Sequence, residues 1–274
     1  MIPKVIHYCW FGGNPLPESA KRCLVSWKRF FPDYEIREWN ETNFDVNCCT
    51  YVREAYKAKK WAFVSDYARF WILYKEGGIY FDTDVEVIRN FDDIIEHGSF
   101  MGCEISLNGS VGINPGLGLG VAPNLPFFKE MLDYYQTLHF IKENGELNTA
   151  ITVVDNTTAI LMKHNWIPIA NIQTVAGISI YPPEYFCPMD YVTGKTKITE
   201  NTHSIHHYTA SWHNKNEEKI IMISRFFINC FGLKWGRKIS RFFDFPLRIK
   251  NKIDTLGFCG MLHFAIRKCF KGNI

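Results

Sequence analysis

The sequence predicts an α/β fold with a parallel sheet, and three observations predict it. A strand, a helix and a second strand follow one another within the first forty residues, the opening of a βαβ unit. Strand-like and helical segments then alternate to about residue 215. Between them, a helix stops at Gly77-Gly78 and a short apolar strand, Ile79-Tyr80-Phe81, runs directly into Asp82-Thr83-Asp84. Acidic oxygens there would lie at the carboxyl end of a sheet, where open α/β folds bind ligands.

The elements read in order as follows. Lys4 to Trp10 is a first strand, closed by the turn-forming Phe11-Gly12-Gly13-Asn14-Pro15. Glu18 to Phe30 places Ala20, Leu24 and Trp27 at helical spacing, and Tyr34 to Trp39 is the second strand. Tyr51 to Lys60 and Phe63 to Glu76 read as helices, the latter ended by glycine in the left-handed region. Ser99 to Glu104 is a strand, and the glycine-rich stretch from Asn108 to Gly120 is expected to be a shaped loop. Leu125 to Glu143 is expected as one long helix with Pro126 in its first turn, and Thr157 to His164 as a helix capped by Asn156. Ile178 to Tyr181 and Ser204 to Tyr208 are short late strands.

At 274 residues, 47% hydrophobic and 22% charged, the chain can bury a full core as one large domain, or one domain with an appendage. The 16% aromatic share suits stacking on sugars or bases and suits core packing equally. Nine cysteines without a C-x-x-C pair signal neither a disulfide framework nor a zinc site, and point to reduced thiols in the cytoplasm. No signal-peptide pattern opens the chain, and no apolar run approaches the roughly 20 residues that span a bilayer. The expectation is a chain neither secreted nor integral to a membrane.

Charge divides the chain unevenly. Residues 1–218 carry 19 Lys+Arg against 26 Asp+Glu, whereas residues 219–274 carry 12 against 2. The expected organisation is therefore a domain over 1–218 and a basic, aromatic helical extension over 219–274. Phe226-Phe227, Trp235 and Phe242-Phe243 alternate there with Arg225, Lys234, Arg237, Lys238 and Arg241. This is the pattern of an interfacial helix on anionic lipid, or of a helical cap whose basic face is solvated. An acidic body without a recognition motif argues against nucleic acid.

Asp-x-Asp alone carries little weight, since 12 Asp in a chain of this length give roughly 0.5 such pairs by chance. Its context adds specificity. Asp66 and Arg69, three apart on the preceding helix, share a face that points to the same end of the sheet. Asp66 can accept sugar or ribose hydroxyls and Arg69 can donate to phosphate or sugar oxygens, although an intrahelical ion pair would also explain them. Two hard oxygen ligands suit Mg²⁺ or Mn²⁺ holding a diphosphate.

Ser65-Asp66-x-x-Arg69, followed by Tyr74-x-x-Gly77-Gly78-x-Tyr80-x-Asp82-x-Asp84, resembles the signature of glycosyltransferase family 32. That family contains bacterial capsule and lipopolysaccharide sugar transferases and yeast-type α-mannosyltransferases, and is related to clostridial glucosylating toxins. Ile2 to Gly13 resembles the family's opening strand and loop, and Ser204-Ile-His-His-Tyr-Thr-Ala-Ser-Trp212 its closing motif. The resemblance covers about residues 1–215 and not the extension.

The resemblance implies a GT-A-type, Rossmann-like fold, a nucleotide-diphospho-sugar donor carrying a hexose on uridine diphosphate or else guanosine diphosphate, a divalent metal (Mn²⁺ or Mg²⁺) and retention of anomeric configuration. It implies Asp66, Arg69, Asp82 and Asp84 as catalytic residues, and Asp82, Asp84 and His207 as metal ligands, with His206 on the opposite face. Tyr8, Trp10, Ser65, Thr83, Asn114, Ser211 and Trp212 would join Asp66 and Arg69 around the donor, Trp10 by stacking on the base or else as a core residue. The acceptor would be a glycan or a lipid-linked oligosaccharide of surface-polysaccharide assembly, with the enzyme peripheral on the inner membrane face. A metal-dependent phosphohydrolase and a non-catalytic glycan-binding or nucleotide-sugar-binding module are the rival readings.

Overall fold

The structure, a computed structural model, describes residues 1–106, 109–169, 171–209, 215–251 and 253–254. They form two compact units. One holds Met1–Tyr191 and Lys195–Thr209, and the other holds Val192–Gly194 and the described part of Ala210–Ile274.

The first unit opens with β1 (Val5–Cys9), α1 (Glu18–Phe30), β2 (Glu35–Trp39), α2 (Thr50–Lys57), α3 (Trp61–Glu76) and β3 (Gly78–Tyr80). It continues through β4 (Val85–Val87), α4 (Asp92–Glu96), β5 (Phe100–Ile105) and β6 (Val111–Val121). It closes with α5 (Pro126–Gln136), α6 (Val153–Lys163), β7 (Gln173–Val175), β8 (Ile178–Tyr181), α7 (Pro183–Phe186) and β9 (Ser204–His206). Seven strands form one sheet in the order β2-β1-β3-β6-β5-β8-β7, and β4 pairs with β9 in a separate ribbon.

The α/β class is as expected, but the sheet is mixed. β1 runs parallel to β2 and β3, and β5 to β8, whereas β6 is antiparallel to both its neighbours and β7 to β8. The cause is β6, whose glycines had suggested a loop. They are there for close approach within a strand. A Cβ on Gly120 would lie 2.1 Å from the Phe100 ring, and one on Gly116 would lie 1.8 Å from Asp82 Oδ2.

Strand alternation separates two cores. Ile6, Tyr8, Ile79 and Phe81 join the cluster around Trp27 of α1, while Cys9 and Tyr80 join the cluster around α3 and α5. Helix α3 is buried nearly all round, including its Asp66 and Arg69, which is unusual for charged side chains and marks them. Gly77 and Gly78 stop it with φ of 67° and 100°, and a Cβ on Gly78 would meet the Val5 carbonyl at 2.7 Å.

Two helices differ from expectation. Helix α5 ends at Gln136 rather than Glu143. Helix α6 starts at Val153, because Thr152 and Asp155 form a capping box, so Asn156 is buried within the helix and not its cap.

In the second unit α8 (Lys215–Phe243) breaks at Gly232, whose φ of 74° and ψ of 170° are not helical. Among the described residues no helix is long and apolar enough to cross a membrane.

Candidate active site

The Asp-Thr-Asp segment is a tight turn between β3 and β4. The Asp82 carbonyl accepts the Val85 N–H at 3.0 Å, and the Asp82 N–H donates to the Gly116 carbonyl of β6 at 2.9 Å. The turn carries the two carboxylates two residues apart, each held from a different side.

Asp82 is held from α3 and β3. The Tyr80 hydroxyl donates to its Oδ1 at 3.0 Å, and Arg69 Nη2 lies 3.3 Å from the same oxygen and 3.0 Å from Asp66 Oδ1. Arg69 Nε donates to the Ser65 carbonyl, and the guanidinium carbon lies 4.9 Å from the Tyr80 ring centroid. The remaining nitrogen, Nη1, is buried without a partner among the described residues. A buried charged donor left open is costly, so it marks a place for an incoming oxygen. Burial lowers the tendency of Arg69 to stay charged, but Asp82, Tyr80 and Asp66 outweigh it and hold the guanidinium firmly cationic. Burial pushes the Asp66 carboxyl up to about 7, with the Asp82 charge adding and Arg69 opposing.

Asp84 is held from the β4–β9 ribbon. Register pairs Val85 with His206, and the His207 N–H donates to the Asp84 carbonyl at 3.0 Å. His206 Nε2 lies 3.2 Å from Asp84 Oδ1, while the Thr209 N–H and hydroxyl donate to Oδ2 at 2.9 and 3.3 Å. Burial alone would raise the Asp84 carboxyl. The charge and hydrogen bond of His206, with the Thr209 bonds, hold it at about 2 instead. Burial acts against a charged His206, but Asp84 raises it well above the usual range.

The histidine beside the carboxylate is therefore His206, whereas His207 was expected there. His207 Nε2 lies 2.8 Å from Glu86 Oε2, because the pairing with β4 carries that side chain one carboxylate further along. Among the described residues His206 Nδ1 is buried without a partner, and His206, Glu104 and Cys187 offer ligand atoms within 4.8 Å of one another. The donors here are carboxylate oxygens and imidazole, with one thiol. Among the described residues the donor atoms that gather closely enough for an ion are those of Glu104, Cys187 and His206, and Asp82, Asp84 and His206 form no such group, so a Mn²⁺ or Mg²⁺ ion taken up at the Asp-Thr-Asp turn would rest on the two carboxylates and on oxygens of the donor.

The other expected residues divide. Asn114 is in the site, donating to Glu104 Oε2 at 2.8 Å and accepting the Gly116 N–H at 2.7 Å. Thr83 sits half-buried in the middle of the turn. Ser65 contributes its carbonyl to Arg69, while its hydroxyl donates back to Trp61.

Tyr8 is a correction. Alternation along β1 turns it into the core on the α1 side, where its hydroxyl donates to Glu38 and its ring meets Trp27 edge-on. Trp10 is half-buried against that same core, its indole N–H spent on the Asn14 carbonyl at 2.6 Å. Ser211 and Trp212 lie outside the described residues.

A cavity of about 620 Å³ opens beyond β1 and β2, lined by Gly12, Gly13, Asn14, Glu41, Tyr56, Lys59 and Trp61. Trp61 opens α3 one turn before Ser65, so the cavity shares the helix that carries Asp66 and Arg69.

Glu104, Cys187, Tyr80 and Gly116 were not foreseen. Glu104 ends its strand and accepts from both Asn114 and the Tyr208 hydroxyl, which also contacts Cys187 Sγ at 3.0 Å. A carboxylate at a predicted strand end was the available signal for it. Nothing local marks Cys187.

Residues 17–101 match the family described as the glycosyltransferase sugar-binding region containing the DXD motif, and this stretch includes α3 and both aspartates. An uncharacterized glycosyltransferase, L373, of Acanthamoeba polyphaga mimivirus is 28% identical over 204 residues, covering 71% of this chain and 76% of that protein. Inositol phosphoceramide mannosyltransferase 3 of Schizosaccharomyces pombe is 31% identical over 141 residues, 46% of this chain but only 38% of the yeast protein. Among solved structures, the PaToxG glycosyltransferase aligns over 59% of this chain and 69% of that one, with 18% identity and a TM-score of 0.46. The chain is a glycosyltransferase. Its residues 17–101 are similar to the DXD-containing sugar-binding region, and both relatives carry glycosyltransferase names.

Proposed function

We propose that the chain moves a hexose, with retention of configuration, from a nucleoside-diphosphate donor to a glycan or lipid-linked oligosaccharide acceptor. We take uridine as the nucleoside, and assembly of a surface polysaccharide such as capsule or lipopolysaccharide, on the cytoplasmic face of the membrane, as the setting. One observation carries the reading: two carboxylates on a single turn, one fixed by buried Arg69 and the other by buried His206. The yeast relative is named for a mannose and for inositol phosphoceramide, which favours a hexose and a lipid-bearing acceptor.

A divalent ion held by Asp82 and Asp84 would supply positive charge to the departing diphosphate. Arg69 adds a charge-assisted donor through its open Nη1, aimed at a phosphate or sugar oxygen. Tyr80 and Asp66 fix the guanidinium and Asp82, so no reorganisation is needed as charge develops. Asp66 can accept a donor hydroxyl, and Asn114 presents an amide fixed by Glu104 and Gly116.

For the transfer itself we propose a front-face route. The anomeric C–O bond to phosphate breaks, and its electron pair goes to the leaving phosphate oxygen. The acceptor oxygen bonds to the anomeric carbon on the same face, and its proton passes to that phosphate oxygen.

Thermal-shift measurements with a panel of nucleotide sugars, with and without Mn²⁺, test the donor reading, since a specific ligand stabilises by mass action. One donor is expected to raise the melting temperature only with the ion, and Asp84→Ala should abolish both this shift and turnover. Release of nucleotide with no sugar transferred to any acceptor would establish a phosphohydrolase instead. Glycan binding unchanged by Asp84→Ala and by chelation would establish a non-catalytic module.

A further inference from the structure

We propose that the helical corner at residues 229–235 inserts into the interfacial layer of a membrane rich in anionic lipid. The proposal deepens the lipid-linked acceptor reading and rests on it for its purpose, while the geometry stands by itself.

The corner is made by two glycines. Gly232, with φ of 74°, interrupts α8, and Gly236 lets the following arm fold back onto the preceding one. A Cβ on Gly236 would lie 2.4 Å from Ile228 Cα, a contact impossible eight residues away along a straight helix. Ile228, Ser240 and Asp244 are buried by this packing, and the Phe227 and Phe243 rings stack at 4.8 Å, so the unit already has an inside.

Its apolar side chains nevertheless continue outward. Every residue from 229 to 235 is exposed, and Phe231, Leu233 and Trp235 at the bend are 54%, 51% and 61% exposed. Phe242, on the returning arm, is 78% exposed. Large apolar groups clustered on a bend are a binding surface rather than a solvated one.

The charges around them select the occupant. Lys234 lies within the bend, Arg237, Lys238 and Arg241 follow it, and all four are exposed. Lys238 Nζ lies 5.2 Å from the Trp235 ring centroid, so cation and aromatic are presented together. A hydrocarbon boundary satisfies Phe231, Leu233 and Trp235, and anionic headgroups satisfy the bases, on one and the same surface. A nucleic acid would leave the aliphatic leucine without a partner.

The test uses the full chain, sedimented with vesicles of phosphatidylcholine alone or mixed with phosphatidylglycerol, while tryptophan emission is followed. Binding to the mixed vesicles and not to the neutral ones is expected, with a blue shift that disappears in Trp235→Phe. Leu233→Ser with Trp235→Ser should weaken binding at least about tenfold, and Lys238→Gln with Arg241→Gln should weaken it in a salt-sensitive way. Both pairs are exposed, and transfer to a water-soluble acceptor should be unchanged in each. Loss of docking with transfer intact thus separates this proposal from the catalytic one.

Unchanged vesicle binding in both double variants would overturn the proposal. So would binding without a Trp235 shift, which would mean surface adsorption by charge elsewhere. Concentration-dependent self-association abolished by Leu233→Ser with Trp235→Ser, with no vesicle binding, would show that a second copy covers the corner.

Discussion

His206 and His207 are adjacent in sequence and do different things, and only the pairing of β4 with β9 decides which. His206→Gln is expected to weaken Mn²⁺ affinity by at least about tenfold, because it removes the imidazole beside Asp84. His207→Gln should change it by less than about threefold, since that side chain faces Glu86; calorimetric titration of the two variants decides between them. Gly116 makes an equally local demand. Its missing side chain is the space in which Asp82 Oδ2 sits. Gly116→Ala should displace that carboxylate and cut turnover on the order of 100-fold, with a loss of about 1–3 kcal/mol in stability from overpacking. Steady-state kinetics and denaturant unfolding measure the two effects. A variant with full activity would show that Asp82 is not where the chemistry requires it.

Among the elements, α3 and β6 position the site. Helix α3 carries Asp66 and Arg69 inward because its neighbours are apolar on nearly every side, which leaves the two charges to satisfy each other and Asp82. The pairing of β6 with β3 and β5 places Gly116 beside Arg69 and Asp82 and turns Asn114 to Glu104. Helix α6 contributes stability instead. The Thr152 hydroxyl accepts the Asp155 N–H while the Asp155 carboxylate accepts the Thr152 N–H. Thr152→Ala should therefore cost about 1 kcal/mol and lower the melting temperature by about 2–4 °C, with kcat unchanged. Scanning calorimetry with a parallel activity assay checks both parts.

For the molecule as a whole, acid stability is expected to depend on one buried imidazole. His7 is fully buried; its Nδ1 accepts the Trp39 indole N–H at 3.0 Å, so its Nε2–H donates to the Gly77 carbonyl at 2.9 Å. Burial, with Arg37 adding, lowers its pKa to about 4, against opposing effects of the Gly77 bond and Glu35. The folded value lies below the unfolded value of 6.5, so the unfolded chain binds the extra proton between them. The contribution is complete above about pH 6.5 and is lost as pH falls toward 4, amounting to about 3 kcal/mol. Urea unfolding across this range should show a shallower pH dependence in His7→Gln than in the parent chain. Equal slopes would mean that His7 is already charged in the native state.

Much was legible before folding because it was local or periodic. Glu18–Phe30 follows from the spacing of Ala20 and Trp27, the stop of α3 from Gly77-Gly78, and the acidic turn from an apolar strand ending in Asp-Thr-Asp. The burial that makes Asp66 and Arg69 a site was legible only as a shared helix face. Where side chains of distant segments meet was not legible. Glycine composition alone cannot separate a loop from a strand that must lie against Phe100 and Asp82, so β6 read wrongly. Strand alternation predicts that His206 and His207 diverge, but which of them reaches Asp84 depends on register with β4, a pairing across more than a hundred residues. Local free energies set the elements and the motif, whereas the sharing of Glu104 by Asn114 and Tyr208, and the orphaned nitrogens of Arg69 and His206, arise only from packing.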